Sequence, residues 1–453
     1  MNLIPQDGDS SSGRELWLFP TPGKTVLGTL PTYPGRGCLE INGRAFAVSG
    51  SVLYEILDDW TYIVRGAMAT DDLPATLSSS GATGNELFVT SGGEGYILDL
   101  LTNVFTNVVS DVNQGGYIGG YFVALDFATG TLKWSDLLDG LTWNGLSVQQ
   151  RNDAGDAWIS MWVGYTEIVL FGSETSVVWG QTGDADQPFA PLSGATMNYG
   201  VYVSFGVATA AGSPCWISRS NQGAGIVMRL NGYQPERIST DGVEWAIEQY
   251  IKAGEADDAV AWSYEQEGRP FLILSFPTAN HTWVCDLKTG WWHERGEWSA
   301  PMMDYDAQRQ VFHMFVFNTH VVLDNQGGNF YEQSLDVFDD AGTPLRRMRQ
   351  TPCMVSKNMV EMIYFHRLEV RVQAGEGTVT TPDPQLVYQY SDDYGSTWSD
   401  ERQESIGAMG EYSTIVAFDA NGAGRYRVDR IVFSEPVPLY ITGASVDFTV
   451  GTR

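Results

Sequence analysis

Cys38-Leu-Glu-Ile-Asn42-Gly43-Arg-Ala-Phe-Ala-Val-Ser49-Gly50-Ser-Val-Leu-Tyr-Glu-Ile56 decides the fold class. Its apolar runs, Cys-Leu-Glu-Ile, Ala-Phe-Ala-Val and Val-Leu-Tyr-Glu-Ile, are cut by Asn42-Gly43 and by Ser49-Gly50. Asn-Gly is a strong hairpin signal, because both central residues of its turn need positive φ. Short runs bounded by such pairs read as strands joined by tight turns. The same organisation recurs along the chain. Clusters of this kind run from Cys38 to Val64, Glu86 to Val109, Tyr117 to Trp143, Trp158 to Trp179, Tyr199 to Arg237, Val260 to Trp298 and Val311 to Tyr331.

Clusters spaced by roughly 40–50 residues match the blades of a β-propeller, each a small sheet that must stack on its neighbours to bury both faces. No WD-type motif fixes the count, so six or seven blades are expected, and a pair of stacked sandwiches is the competing architecture. One segment breaks the rhythm. In Asp241 to Gly254, the apolar residues Val243, Ala246, Ile247, Tyr250 and Ile251 fall on one helix face. Asp241 with Glu244 forms a candidate N-terminal cap and Gly254 a terminator. This inserted helix is either a partner-facing element or a packing strut.

A polar stretch with Gly and Pro at 336–346 suggests a boundary, giving a propeller-like domain over 1–343 and a second domain over 344–453. Charge supports the division. Residues 1–343 carry 15 basic and 41 acidic side chains, a balance of −26, whereas 344–453 carry 11 and 14, a balance of −3. The second domain reads as strands at Tyr364–Val372, Leu386–Tyr390, Arg425–Phe433 and Tyr440–Val450, which suits a β-sandwich, with Pro436 and Pro438 at an edge or turn. The expected fold is therefore all-β, an irregular propeller with one inserted helix plus a C-terminal β-sandwich.

The whole chain of 453 residues has a net charge of −29, 50 Gly and 15 Trp. Hydrophobic residues at 43% exclude general disorder. Such acidity argues against a freestanding nucleic-acid binder, whose affinity comes from Lys and Arg. No apolar run reaches transmembrane length, and the N-terminus has no signal-peptide pattern. The expected compartment is a reducing cytoplasm. Cys38, Cys215, Cys285 and Cys353 form no CxxC pair and read as free thiols.

Catalytic patterns fail one by one. His293-Glu294 does not continue into a zincin motif, and His313 and His320 sit in apolar strand context as structural residues. Gly23-Lys24-Thr25 lacks the earlier glycine of a phosphate loop, and Gly115-Gly116 with Gly119-Gly120 lacks a dinucleotide order. The acidic pairs Asp58-Asp59, Asp71-Asp72, Asp257-Asp258, Asp339-Asp340 and Asp392-Asp393 read as solvated turns, because among 55 acids some pair meets glycosidase spacing by chance. Asp184 with Asp186 and Asp304 with Asp306 do not extend into a calcium loop. No catalytic residue, metal site or cofactor is expected.

The most specific local motif is Ser391-Asp-Asp393-Tyr-Gly395-Ser-Thr397-Trp398. It matches the Asp-box, in which the Asp bonds its own turn, Gly395 supplies positive φ and Trp398 plugs the space beneath. It resembles a folding device. Arg346, Arg347, Arg349, Lys357, Arg367 and Arg371 form a basic cluster that either docks an acidic partner surface or is a solvated face.

A wider likeness runs through Asn231-Gly-Tyr-Gln-Pro-Glu-Arg237-Ile-Ser-Thr240, Phe276-Pro277, Thr282-Trp283-Val-Cys-Asp286 and Gly290-Trp-Trp-His293-Glu294-Arg295. It continues in Phe46 to Tyr54, Ile168 to Trp179, and the run from Arg430 through Pro436 to Phe448. In this order the segments resemble the packaged-DNA stabilisation family of short-tailed bacteriophages, the tail-hub or tail-nozzle proteins. The resemblance implies a structural virion protein and not an enzyme, assembled in the host cytoplasm as a ring, commonly a homohexamer. It implies contact with the head-to-tail adaptor and portal, with the tail plug or needle, and with fibres or spikes. Genomic double-stranded DNA would pass through the channel without specific binding. The alternative is a propeller-type tail protein that binds or hydrolyses glycans. Under the first reading the acidity has a mechanical sense: a negative wall does not hold the passing duplex.

Overall fold

Asn42 and Gly43 both take left-handed backbone, at φ +53° and +77°, and join Gly35–Ile41 to Arg44–Ser49 as an antiparallel hairpin. The structure, a computed structural model, describes residues 1–7, 16–71, 73–81, 84–151, 155–357 and 359–451. Internal packing divides it into two compact units. One comprises Val26–Trp292 and Ala307–Glu332; the other comprises Met1–Thr25, His293–Asp306 and Gln333–Arg453.

The first unit is a propeller of seven sheets. Their leading strands are Gly35–Ile41, Thr76–Ser79, Gln114–Ile118, Trp158–Val163, Val207–Ala210, Val260–Gln266 and Gln310–Val316. Each lies against the leading strand of the next sheet, and Gln310–Val316 lies against Gly35–Ile41, so the ring closes. Of the two blade counts expected, the structure has the larger.

Period-two alternation buries both faces of a blade. In Arg44–Ser49, Ala45 and Ala47 face a core with Val321, Leu323 and Phe330 of the last blade. Phe46 and Val48 face the opposite way, into a core with Leu87, Val89 and Leu98 of the second. Every one of these side chains is essentially out of contact with water. Burying each large aliphatic or aromatic side chain contributes about 1.5–3 kcal/mol, so the seams between blades hold the ring.

Closure of the last blade depends on chain from near the start. Gly23–Thr29 joins the sheet beside Asn329–Ser334. Thr29 Oγ1 donates to Asn329 Oδ1 at 2.7 Å, and the Leu30 amide to the Gly328 carbonyl at 2.7 Å. At Gly28 a Cβ would sit 2.5 Å from the Phe330 ring, so the absence of a side chain lets the strand seat.

The inserted helix spans Asp241–Ala253 and ends at Gly254, φ +72°. Its N-cap is Thr240 and not Asp241, a correction with a clear cause. Arg237 bonds both Asp241 and Glu244, and Ser239 Oγ donates to Glu244 at 2.5 Å, so those carboxylates are engaged outside the helix. Val243 and Ile247 pack with Cys215, Val227, Phe276 and Cys285, which makes the helix a strut, while Trp245 remains exposed on its outer side.

The second unit is a two-sheet sandwich. One sheet has the order Leu3–Asp7, Leu16–Pro20, Ile441–Val450, Ile363–Val372, Val416–Asp419; the other runs Arg347–Gln350, Tyr426–Phe433, Gln385–Ser391, Arg402–Ser405. Leu368, Val370, Leu386, Tyr388, Phe418 and Phe433 fill the space between them.

Candidate functional site

Several acids of the propeller make structural bonds. Asp257 accepts from Tyr202 Oη at 2.7 Å, Asp258 from the amide and hydroxyl of Thr278, and Asp59 from those of Thr61. Asp71 pairs with the buried Arg36 at 2.5 Å; Asp72 lies outside the described residues. Asp184 accepts from the amide of Asp186. Ser78, Gln114, Tyr117, Trp162 and Thr209 line a cavity of about 310 Å3 along the leading strands, and no carboxylate or imidazole is among its described lining residues. His313 Nε2 lies 2.9 Å from His320 Nδ1, and burial pushes His313 down to about 3, so it is neutral at physiological pH. Among the described residues no group of three or more His, Cys, Asp or Glu is placed to hold a metal ion. No described helix is long and apolar enough to cross a membrane.

On Trp291–Ser299, a strand of the sheet led by Val260–Gln266, His293 and Arg295 are both buried, with Arg295 Nε donating to His293 Nε2 at 3.2 Å. Burial, reinforced by the Arg295 charge, holds His293 well below its ordinary value, so it is neutral.

The Asp-box sits at the end of Gln385–Ser391. Ser391 Oγ donates to Asp393 Oδ1 at 2.7 Å and accepts from the Gly395 amide at 2.8 Å. The Thr397 amide and hydroxyl both donate to Asp393, at 2.8 and 2.6 Å. These bonds favour the ionised carboxylate, led by the Thr397 hydroxyl, and hold Asp393 at about 2. Gly395 takes φ +91°. Trp398 lies beneath the Arg430 guanidinium, 3.7 Å from carbon to ring centroid. Every partner in this loop is internal to it or to its own sheet.

The six basic residues do not form one cluster. Arg347 is fully buried and donates to the carbonyls of Val437 and Phe338 at 3.1 Å and of Glu435 at 3.4 Å. Burial pushes it down to about 10, still charged at neutral pH. Arg346 stacks 4.1 Å over the Trp298 ring. Arg367 pairs with Asp419 at 3.1 Å and with Glu369 at 3.5 Å. Lys357 is exposed in a separate turn. Only Arg349 and Arg371 come together, at one cleft.

That cleft, about 480 Å3, opens between the two sheets of the sandwich. Leu18, Leu368, Val370, Ile431 and Ile441 make an apolar floor, Arg349 and Arg371 stand at its side, and Asp429 and Thr351 supply polar groups. The Asp429 carboxyl is buried and accepts from Tyr388 Oη at 2.8 Å; burial pushes it above the usual carboxylate range. The sequence reading missed Leu18, Asp429 and Thr442–Ser445 as members of one site, because they come from distant parts of the chain. The cleft thus combines apolar residues with two arginines.

Two family models account for nearly the whole chain. The one described as bacteriophage P22 Gp10, β-propeller, matches residues 1–337. The one described as bacteriophage P22 Gp10, β-sandwich, matches residues 346–449. The chain belongs to this family. It is thus a structural tail protein of the short-tailed phage hub and stabilisation type, and a component of the virion. A search of curated proteins finds no match. Among solved structures, virginiamycin B lyase from Staphylococcus aureus aligns at TM-score 0.46 and 10% identity, over 69% of this chain and 98% of its own. PorZ, a surface component of the type-IX secretion system of Porphyromonas gingivalis, aligns at TM-score 0.41 and 13% identity. That alignment covers 69% of this chain, which spans only 38% of PorZ. Likeness at this level carries no functional inference.

Proposed function

We propose that this chain is the tail hub, or nozzle, of a short-tailed phage. Six copies form a ring that extends the channel below the portal and its adaptor, retains the packaged genome and receives the plug or needle and the fibres or spikes. It is a structural and non-catalytic part, assembled in the host cytoplasm. The observation that carries the reading is the pair of family matches, propeller then sandwich, in order along the chain. The charge of −29 fits the same role. An acidic wall repels phosphates, whereas a basic one would hold them in a salt-dependent way. Retention then rests on a closed gate or plug and not on adhesion to the wall.

The test is cryo-electron microscopy of the virion's tail vertex, with duplex-DNA binding by the assembled ring measured across a salt series. The chain is expected as a six-fold ring beneath the adaptor, with weak and salt-insensitive DNA affinity. Density for the chain only in peripheral fibres, or saturable binding to a host polysaccharide, would overturn the hub reading. Strong, salt-sensitive DNA binding would overturn the non-adhesive wall.

A further inference from the structure

Among the described residues, most of one side of Ile441–Val450 in the sandwich has no strand beside it. Ile441–Val450 pairs along its length with Ile363–Val372 on one side. On the other side Leu16–Pro20 meets it at a single position, Leu18 opposite Ile441. Past that point, 442–450 has no strand partner on that side among the described residues. Exposed edges are templates for pairing, and proteins blunt them with Lys, Pro or bulges. The run Thr442-Gly-Ala-Ser-Val-Asp-Phe-Thr-Val450 holds neither Lys, Arg nor Pro; Asp447 is its one charge, two register shifts interrupt its pairing with Ile363–Val372, and Phe448 and Val450 are exposed on it.

The cleft lies directly against this edge, since Thr442, Gly443, Ala444 and Ser445 form part of its lining. A strand laid along the edge would direct alternate side chains onto the apolar floor of Leu368, Val370 and Ile431. Arg349 and Arg371, at the side of the cleft, carry no carboxylate partner among the described residues. At the cleft end of the edge the unmatched charge is positive, with the single acid Asp447 farther along, in a chain whose first 343 residues carry −26.

We propose that this edge and cleft receive an extended, acidic segment from a second copy of the same chain, which adds a strand to the sandwich. The contact joins two different surfaces, the head-to-tail geometry that closes into rings. The inference rests on the ring reading above and names the surface that builds it.

The experiment uses the full chain, as monomer and as ring, with hydrogen–deuterium exchange read peptide by peptide and assembly followed by light scattering. Outward-pointing amides of 443–449 are expected to exchange at least about tenfold more slowly in the ring. The double variant Arg349→Glu, Arg371→Glu and, separately, Ser445→Lys should raise the concentration needed for assembly by about tenfold or more, with the monomer's melting unchanged. A ring whose 443–449 amides exchange as fast as the monomer's overturns this inference and leaves the hub reading intact. Protection that arises only on adding another tail protein overturns the choice of a second copy. Failure of the wild-type chain to form any ring, even on an adaptor–portal complex, overturns both.

Discussion

Arg427 donates from Nε to Asp392 Oδ1 at 2.9 Å while its guanidinium lies between the rings of Phe365 and Tyr390, 4.1 Å from each centroid. The arginine side chain is fully buried, yet its carboxylate partner belongs to the Asp-box loop at the surface. Nη2 also donates to Asp392 Oδ2 at 3.5 Å, and Nη1 to the Asn421 carbonyl at 2.9 Å. This one side chain ties the loop to the interior of the sandwich. An ammonium cannot stack on two rings or present a planar fork. Arg427→Lys should therefore cost about 2–3 kcal/mol, below the range for fully buried pairs because Asp392 is partly hydrated. The check is the urea midpoint of the sandwich transition; a midpoint like the wild type's would refute the stacking role.

Closure of the propeller gives a second expectation. A side chain at position 28 meets the Phe330 ring at 2.5 Å and the Trp60 carbonyl at 3.1 Å. Gly28→Val should destabilise the ring by about 1–3 kcal/mol through overpacking, seen as faster amide exchange at Val26–Thr29 and Asn329–Glu332. Gly43→Ala serves as the comparison, since nothing lies within 4 Å of a Cβ there and only its φ of +77° opposes the change.

The Asp-box has a pH signature. Asp393 is held at about 2 against an ordinary 3.8 by its bonds from Thr397 and Ser391. A depressed folded-state value stabilises the turn fully above the ordinary value and loses that support as pH falls through about 2. Protection of the Thr397 amide should thus drop between about pH 4 and pH 2. In Asp393→Asn the same amide should show no such drop, because no carboxylate titrates.

Thiol chemistry separates the cysteines. Cys215 and Cys285 are buried together under the helix, and burial pushes Cys215 up to about 12 and Cys285 upward as well. Thiolates are the reactive form. Native protein at about pH 8 should leave both unmodified by a disulfide reagent, with Cys353, which is partly exposed, reacting first. Mass spectrometry of the labelled peptides reads the order, and labelling of Cys215 before unfolding would show that the helix opens.

The blades were legible because their turns are chemically explicit. Asn42-Gly43, Ser49-Gly50 and Ser91-Gly92-Gly93 announce hairpins whatever surrounds them, and Gly50, Gly92 and Gly93 all take positive φ. The helix was legible for the same reason, its apolar face repeating at helical spacing. Its cap was not, because Asp241 is claimed by Arg237, a preceding residue that no capping rule considers. The basic cluster misled by adjacency. Arg346 stacks on Trp298 just before the strand begins, while Arg347, its first residue, goes to the interior and meets carbonyls. The cleft was beyond reach for another reason: Leu18, Arg349, Arg371, Asp429 and Ser445 share no local pattern and meet only when two sheets pack.

The strand that seals the last blade also sets a timetable. Thr29 and its partner Asn329 are 300 residues apart. At a synthesis rate of about 5–20 residues per second, the early segment must wait about 15–60 s for its partner to leave the ribosome. Through that interval the half-made propeller has an open seam at Gly35–Ile41, with the apolar faces of Ala45, Ala47 and Tyr54 uncovered until the final blade arrives. Partly translated copies crowded on one message would meet at that seam first. The nascent chain thus stays open to pairing with a neighbour until it can pair with itself.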